Sequence, residues 1–94
     1  MLEITFGQDN IVIIEGRFDA SQVDLALTHF NEVKTSVTLH CEKLQYISSA
    51  GLGVLVSVQK RLMDSGHRMK LTQLSPHIRE VLELAGFDAI FEIE

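Results

Sequence analysis

Residues 46–55, Tyr-Ile-Ser-Ser-Ala-Gly-Leu-Gly-Val-Leu, turn an extended apolar approach into a long apolar helix, with two serines and two glycines at the junction. Such a junction joins a strand to a helix within a few residues, so the fold contains both kinds of element. It also places Ser49 at or beside a helix N-terminus. Unpaired backbone N–H groups and the positive end of the helix dipole favour an anion there. A hydroxyl at that point has two uses: it can cap the helix, or it can carry a phosphate that the helix end stabilises.

The rest of the chain repeats the alternation. Leu2–Phe6 alternates as a strand, Gly7-Gln8-Asp9-Asn10 is turn chemistry, and Ile11–Ile14 is a β-branched run that predicts a strand covered on both faces, the two forming a hairpin. Asp19 or Ser21 can cap a first helix, whose apolar positions are Val23, Ala26, Leu27, Phe30 and Val33. Ser36–Cys41 reads as a strand, Ala50–Met63 as the second helix, and His67–Leu74 as a strand with Met69 and Leu71 on one face. Ser75-Pro76 opens a third helix that Gly86 ends, and Ala89–Ile93 is a last short strand. The order β-β-α-β-α-β-α-β predicts an α/β domain over residues 1–94, a mixed β-sheet with helices packed against it as right-handed crossovers.

Bulk properties narrow the partners. Eight basic residues against thirteen acidic ones give a net charge of −5. The scattered cations form no basic face, which argues against direct nucleic-acid binding and against an anionic membrane surface. No apolar run reaches membrane-spanning length, no signal-peptide pattern follows Met1, and the single cysteine, Cys41, fits a reducing compartment. These features predict a cytoplasmic protein without membrane insertion. His29, His40, His67 and His77 lack metal-ligand spacing and Cys41 lacks a CxxC partner, so no metal or cofactor is expected. A catalytic serine is disfavoured because Gly-x-Ser-x-Gly is absent and no general base is identifiable.

The second helix has more apolar surface than one buried face needs. Leu52, Val54, Leu55, Val56, Val58, Leu62 and Met63 cover an arc of roughly 200°, against about 100° for an ordinary amphipathic helix. Either the helix is deeply buried, or Val54 and Val58, beside Arg61, are exposed and touch a partner; partner contact through these three residues is the expectation carried forward. Gly51 and Gly53 each cost the helix about 0.8–1 kcal/mol against alanine. Tight helix–sheet packing and close approach of a partner backbone or nucleotide phosphate are equally good reasons for them.

Four segments resemble the STAS domain family, in particular its stand-alone bacterial anti-sigma-factor antagonists: Gly16-Arg17-Phe18-Asp19, the 46–55 junction, His67–Leu71, and Val81-Leu82-Glu83-Leu84-Ala85-Gly86-Phe87. The resemblance covers nearly the whole chain. It implies a non-enzymatic, partner-switching domain in transcription regulation, in which Ser49 accepts a phosphate. The unmodified form would bind an anti-sigma factor that is also a serine kinase, the phosphorylated form would release it, and a serine phosphatase would reset it. The free domain would be a monomer. Asp19, Ser48, Ala50, Gly51, Leu52 and Gly53 would shape the site. The chain departs from the family in three places. Ser48 stands where many members have Asp, Ala50 where the family has a serine, and the chain ends at Glu94, close after the last strand, where most members add a helix. Two alternatives accompany this reading. Some small STAS proteins are subunits of membrane lipid-transport complexes that bind an ATPase. A nucleotide-binding regulatory module is the other, though the P-loop lysine and Gly-x-Gly-x-x-Gly spacing are missing.

Overall fold

A computed structural model describes residues 1–94. The strands are β1 (Leu2–Phe6), β2 (Ile11–Phe18), β3 (Val37–Ile47), β4 (Met69–Thr72) and β5 (Glu92–Ile93). The helices are α1 (Val23–Phe30), α2 (Ser49–Asp64) and α3 (Pro76–Leu84), with 3-10 turns over Ala20–Gln22 and Phe87–Ala89. The strands form one sheet in the order β1-β2-β3-β4-β5. β1 and β2 are an antiparallel hairpin, and every later neighbour is parallel. Successive parallel strands lie side by side in one direction, so right-handed crossovers put the three helices on the same face.

Burial confirms a one-sided sheet. Val12, Ile14, Leu39 and Leu71 are buried, whereas Ile11, Ile13, Thr38, His40 and Lys70 on the other face are only half-buried. The expectation that Ile11–Ile14 is covered on both faces is therefore corrected: the run is continuous and apolar, but Ile11 and Ile13 lie on the open face. The core is a single cluster drawn from every strand except β5 and from all three helices, with Phe18, Phe30, Leu55, Met69 and Leu82 among its largest fully buried members.

Several element boundaries also differ from the periodicity reading. β3 runs on to Ile47 because its pairing with β2 slips twice, between Ile13/Glu15 and between Gly16/Arg17. Each slip adds a residue to β3, so its core-facing positions are Leu39, Cys41, Leu44 and Ile47, and a period of two is lost after Cys41. Gly16, at the second slip, is required on the β1 side of β2. Its φ is +95°, and a Cβ there would collide with the Met1 carbonyl oxygen. The last strand is only two residues long because Phe87–Ala89 closes into a 3-10 turn after Gly86.

Candidate functional site

The 46–55 junction folds as a strand end, a cap and a helix start. Ser48 is the N-cap: its backbone is extended, and its Oγ accepts from the Gly51 N–H at 3.1 Å. Its carbonyl accepts the first intrahelical bond, from Leu52 N–H at 2.9 Å. The cap is thus one residue earlier than the cap reading of Ser49 required. Ser49 is the first helical residue. It is exposed, its hydroxyl makes no hydrogen bond, and the N–H groups of Ser49 and Ala50 also lack partners. Ser48 holds the backbone at the helix end, and the Ser49 hydroxyl is left free in the positive field of the N-terminus.

The junction is anchored to the end of β2. Ser48 N–H donates to the Phe18 carbonyl at 2.9 Å. Gly51 packs on the same carbonyl, where a Cβ would sit 2.9 Å from Phe18 O and 3.0 Å from Ile47 Cγ1. Gly51 is accordingly a packing glycine. Gly53, one turn beyond Ser49, is exposed, and a Cβ there would meet nothing within 4 Å. Packing within the chain gives no reason for it. Leu52 is buried in the core, while Ala50 is exposed beside Ser49.

Asp19 follows Phe18 directly, so its turn lies against the junction. Its carboxylate is occupied locally: Oδ1 accepts from both the N–H and the hydroxyl of Ser21, capping the Ala20–Gln22 turn. Those bonds hold its carboxyl below the usual carboxylate range, with the Ser21 hydroxyl the largest cause and the chain's N-terminal charge and Arg17 adding to it. Arg17 itself stacks 4.4 Å above the Tyr46 ring, closing the open-face side of the same strand ends.

The expected partner contacts are corrected. Val54 and Val58 are 5% and 3% exposed and belong to the core cluster. The wide apolar arc means that α2 is wedged between α1 on one flank and the 87–91 segment on the other. Arg61 is half-buried and turned toward α1. Its two terminal nitrogens donate to the carbonyls of Phe30 at 2.8 Å and Val33 at 2.7 Å, satisfying the C-terminal end of that helix. The exposed face of α2 instead carries Ser49, Ala50, Gly53, Ser57, Lys60 and Asp64, with Met63, the one half-exposed member of the apolar arc, at its C-terminal end. Leu27 of α1, partly exposed, lies on the α1 flank nearer α2, because His29 on the opposite flank faces Phe6 of β1.

Sequence reasoning passed over Gln59. It is 2% exposed in the middle of the apolar arc. Its amide donates to the carbonyls of Met69 and Ile90 at 3.2 and 2.9 Å, and its oxygen accepts from Met69 N–H at 2.6 Å. The signal was present: one polar residue between Leu52, Leu55 and Leu62 on the core-facing side of a helix needs partners on the elements it faces. Cys41 is buried, and burial pushes its thiol up to about 12. No group of three His, Cys, Asp or Glu side chains converges on a possible metal position, and no helix is long and apolar enough to cross a membrane.

Comparison with known proteins agrees with this geometry. BtrV of Bordetella bronchiseptica, named as an anti-sigma factor antagonist, is 46% identical over 57 residues, covering 61% of this chain and 49% of BtrV, so the match spans about half that relative. The anti-sigma factor antagonist SpoIIAA in its unphosphorylated form superposes with a TM-score of 0.77 at 20% identity, covering 100% of this chain and 88% of that one. The Bacillus cell fate determinant SpoIIAA in the phosphorylated form gives 0.71 at 19% identity, covering 100% and 91%. At these identities the two structures establish the fold. The STAS domain model matches residues 7–94, and with that match over β2 to β5, the serine junction and all three helices, the chain belongs to the STAS domain family.

Proposed function

We propose that this chain is an anti-sigma-factor antagonist switched by phosphorylation of Ser49. The observation that carries the reading is the division of labour at the junction: Ser48 supplies the cap, and the Ser49 hydroxyl is exposed and unbonded at the first position of α2. A similarly folded antagonist, SpoIIAA, exists in phosphorylated and unphosphorylated forms. In the transfer, the Ser49 oxygen attacks the γ-phosphorus of ATP held by the partner kinase, loses its proton, and ADP leaves. A serine phosphatase returns the hydroxyl and inorganic phosphate by adding water. The domain supplies the acceptor and does not catalyse either step.

The modification adds a charge of about −1.5 to −2 at the end of α2. The helix dipole and the unpartnered N–H groups of Ser49 and Ala50 accommodate it, so the fold persists and the effect falls on the binding surface. That surface is the exposed face of α2, with Ser49, Ala50, Gly53, Ser57 and Lys60, flanked by Leu27. Gly53 lets a partner backbone come close. A phosphate at the edge of this contact would be desolvated or set against acidic groups, which weakens binding without a change of shape. The domain would act in the cytoplasm, where ATP and such kinases are found.

The test is incubation with candidate anti-sigma serine kinases and ATP, followed by intact mass and a binding titration with the same kinase. The account expects one phosphoryl group, none on a Ser49→Ala chain, and loss of binding on modification. A modified chain that binds as tightly as the unmodified one contradicts the switch.

A further inference from the structure

β1 is an uncovered sheet edge whose free backbone groups are complementary to a second copy of themselves. The phase of its hydrogen bonding is fixed at both ends: Arg17 N–H donates to Met1 O, and Gly7 N–H donates to Ile11 O. Odd-numbered residues therefore face β2, and Leu2, Ile4 and Phe6 direct their N–H and C=O groups outward. One of these groups is occupied, Leu2 N–H, which donates to Gln22 Oε1 at 3.2 Å. The others are free. The usual edge protections are missing, because β1 has no proline, no lysine and no bulge, and its single charge, Glu3, lies on the open face opposite Glu15. Beside the edge, Phe6 and Leu25 are 48% and 41% exposed, with the Phe6 ring 6.3 Å from His29.

We infer that β1 pairs antiparallel with β1 of a second copy, about a two-fold axis at Ile4. An antiparallel pair bonds only through outward-facing residues, so even-numbered residues must lie opposite even-numbered ones, and centring on Glu3 or Thr5 would pair only three residues of each strand, the former setting glutamate against glutamate. Centring on Leu2 or Phe6 leaves most of the strand unpaired, whereas centring on Ile4 uses all of it. Ile4 then exchanges both bonds with Ile4 of the second copy. Phe6 N–H reaches the Leu2 carbonyl, and Gln22 needs to yield only for the remaining bond at each end. The side chains agree. On the helix face, Leu2 lies beside Phe6 and Ile4 beside Ile4. On the open face, Glu3 lies beside Thr5, not beside another glutamate. Phe6 and Leu25 supply the apolar flank. The contact replaces the expected free monomer with a weak dimer at high concentration, since two five-residue strands bury less than the roughly 1,200 Å² of a stable interface. Ser49 and the exposed face of α2 lie across α1 from this edge, so pairing leaves them accessible and does not depend on the phosphorylation reading.

Sedimentation equilibrium on the wild-type chain should show the average mass rising toward the dimer at about 0.1–1 mM, the range that a small interface demands. The register is read by cross-linking. Glu3 and Thr5 of opposite copies form a non-hydrogen-bonded pair, with Cα atoms about 4.5 Å apart. A mixture of Glu3→Cys and Thr5→Cys chains should therefore give a disulfide-linked heterodimer on mild oxidation, far faster than either variant alone. The native Cys41 is buried and does not compete. Phe6→Glu should stay folded, with a cooperative melt, and lower the dimer fraction at least tenfold, while Leu84→Ser, at a side chain 81% exposed elsewhere, should leave it unchanged. A wild-type chain that stays monomeric at about 1 mM overturns the proposal. So does cross-linking of Glu3→Cys to itself as fast as to Thr5→Cys, or a Phe6→Glu chain that is folded and equally dimeric.

Discussion

Two glycines one turn fraction apart on α2 should respond oppositely to the same methyl group. In Gly51→Ala the new Cβ meets Phe18 O at 2.9 Å and both Ile47 Cγ1 and Phe18 Cδ1 at 3.0 Å. The nearest of these is backbone, itself bonded to Ser48 N–H, and it cannot move without pulling the cap. Overpacking of this kind costs about 1–3 kcal/mol, and with a backbone oxygen as the nearest atom the upper part of that range applies, against a helix-propensity gain of about 0.8–1 kcal/mol, so a net loss of up to about 2 kcal/mol is expected. In Gly53→Ala the methyl meets nothing within 4 Å. The propensity gain then stands alone, and the chain should be stabilised by about 0.8–1 kcal/mol. For a domain of this size 1 kcal/mol moves the melting temperature by roughly 4–8 °C, so the two variants should melt on opposite sides of wild type, well resolved by calorimetry or circular dichroism. On the binding side, Gly53→Ala should weaken the partner complex, because the methyl fills the space that a close backbone approach needs. A destabilised Gly53→Ala chain, or a stabilised Gly51→Ala chain, would refute the packing assignment. A stabilised Gly53→Ala chain with undiminished binding would remove Gly53 from the partner surface.

Three further outcomes follow from the buried polar groups. Arg61→Ala strips two charge-assisted bonds from the carbonyls of Phe30 and Val33 and should lower stability by about 1–2 kcal/mol, discounted for partial exposure, with Arg61→Lys restoring only part because an ammonium lacks the two-pronged fork; urea melts measure both. Gln59→Leu leaves the buried Met69 N–H without an acceptor and should cost about 2 kcal/mol or more, and a variant as stable as wild type by the same melts would show that the amide network is dispensable. Cys41 has a folded-state pKa raised to about 12 from 9.0, so its neutral thiol supports the fold fully below pH 9 and that support is lost as the pH rises from 9 toward 12. A thiol reagent at pH 8 should therefore label the chain only at its unfolding rate, and labelling of the native protein within seconds would contradict the burial.

Local sequence carried the architecture because each element announces itself over a few residues. Ser75-Pro76 caps α3 as read, with Ser75 Oγ accepting from Ile78 N–H, and Asp19 caps the turn that leads into α1. The strand-to-helix junction falls within one residue of its expected place. What local pattern could not carry was anything set by a neighbour. The two bulges in β3 are defined by its register against β2, and so the apolar spacing Cys41, Leu44, Ile47 does not look like a strand when read alone. The width of the apolar arc on α2 was legible, but its meaning was not. A helix wedged between α1 and the 87–91 segment and a helix with a sticky edge give the same pattern. Only the positions of Phe30, Val33 and Ile90 show that Arg61 and Gln59 are turned inward. At the candidate site, Ser48 and Ser49 are chemically identical in sequence; which one caps depends on the backbone angle of Ser48, and that assignment frees Ser49.

The separation of the two serines is the central claim, and one paired measurement tests it. Ser48→Ala and Ser49→Ala chains are each melted and then treated with an anti-sigma serine kinase and ATP, the modified residue being located by fragment mass spectrometry. The account predicts that Ser48→Ala melts lower by about 1 kcal/mol, the value of a serine cap, yet is still phosphorylated on Ser49. It predicts that Ser49→Ala melts like wild type and takes up no phosphate. Phosphate on Ser48, or a Ser49→Ala chain that loses stability while Ser48→Ala does not, would contradict it.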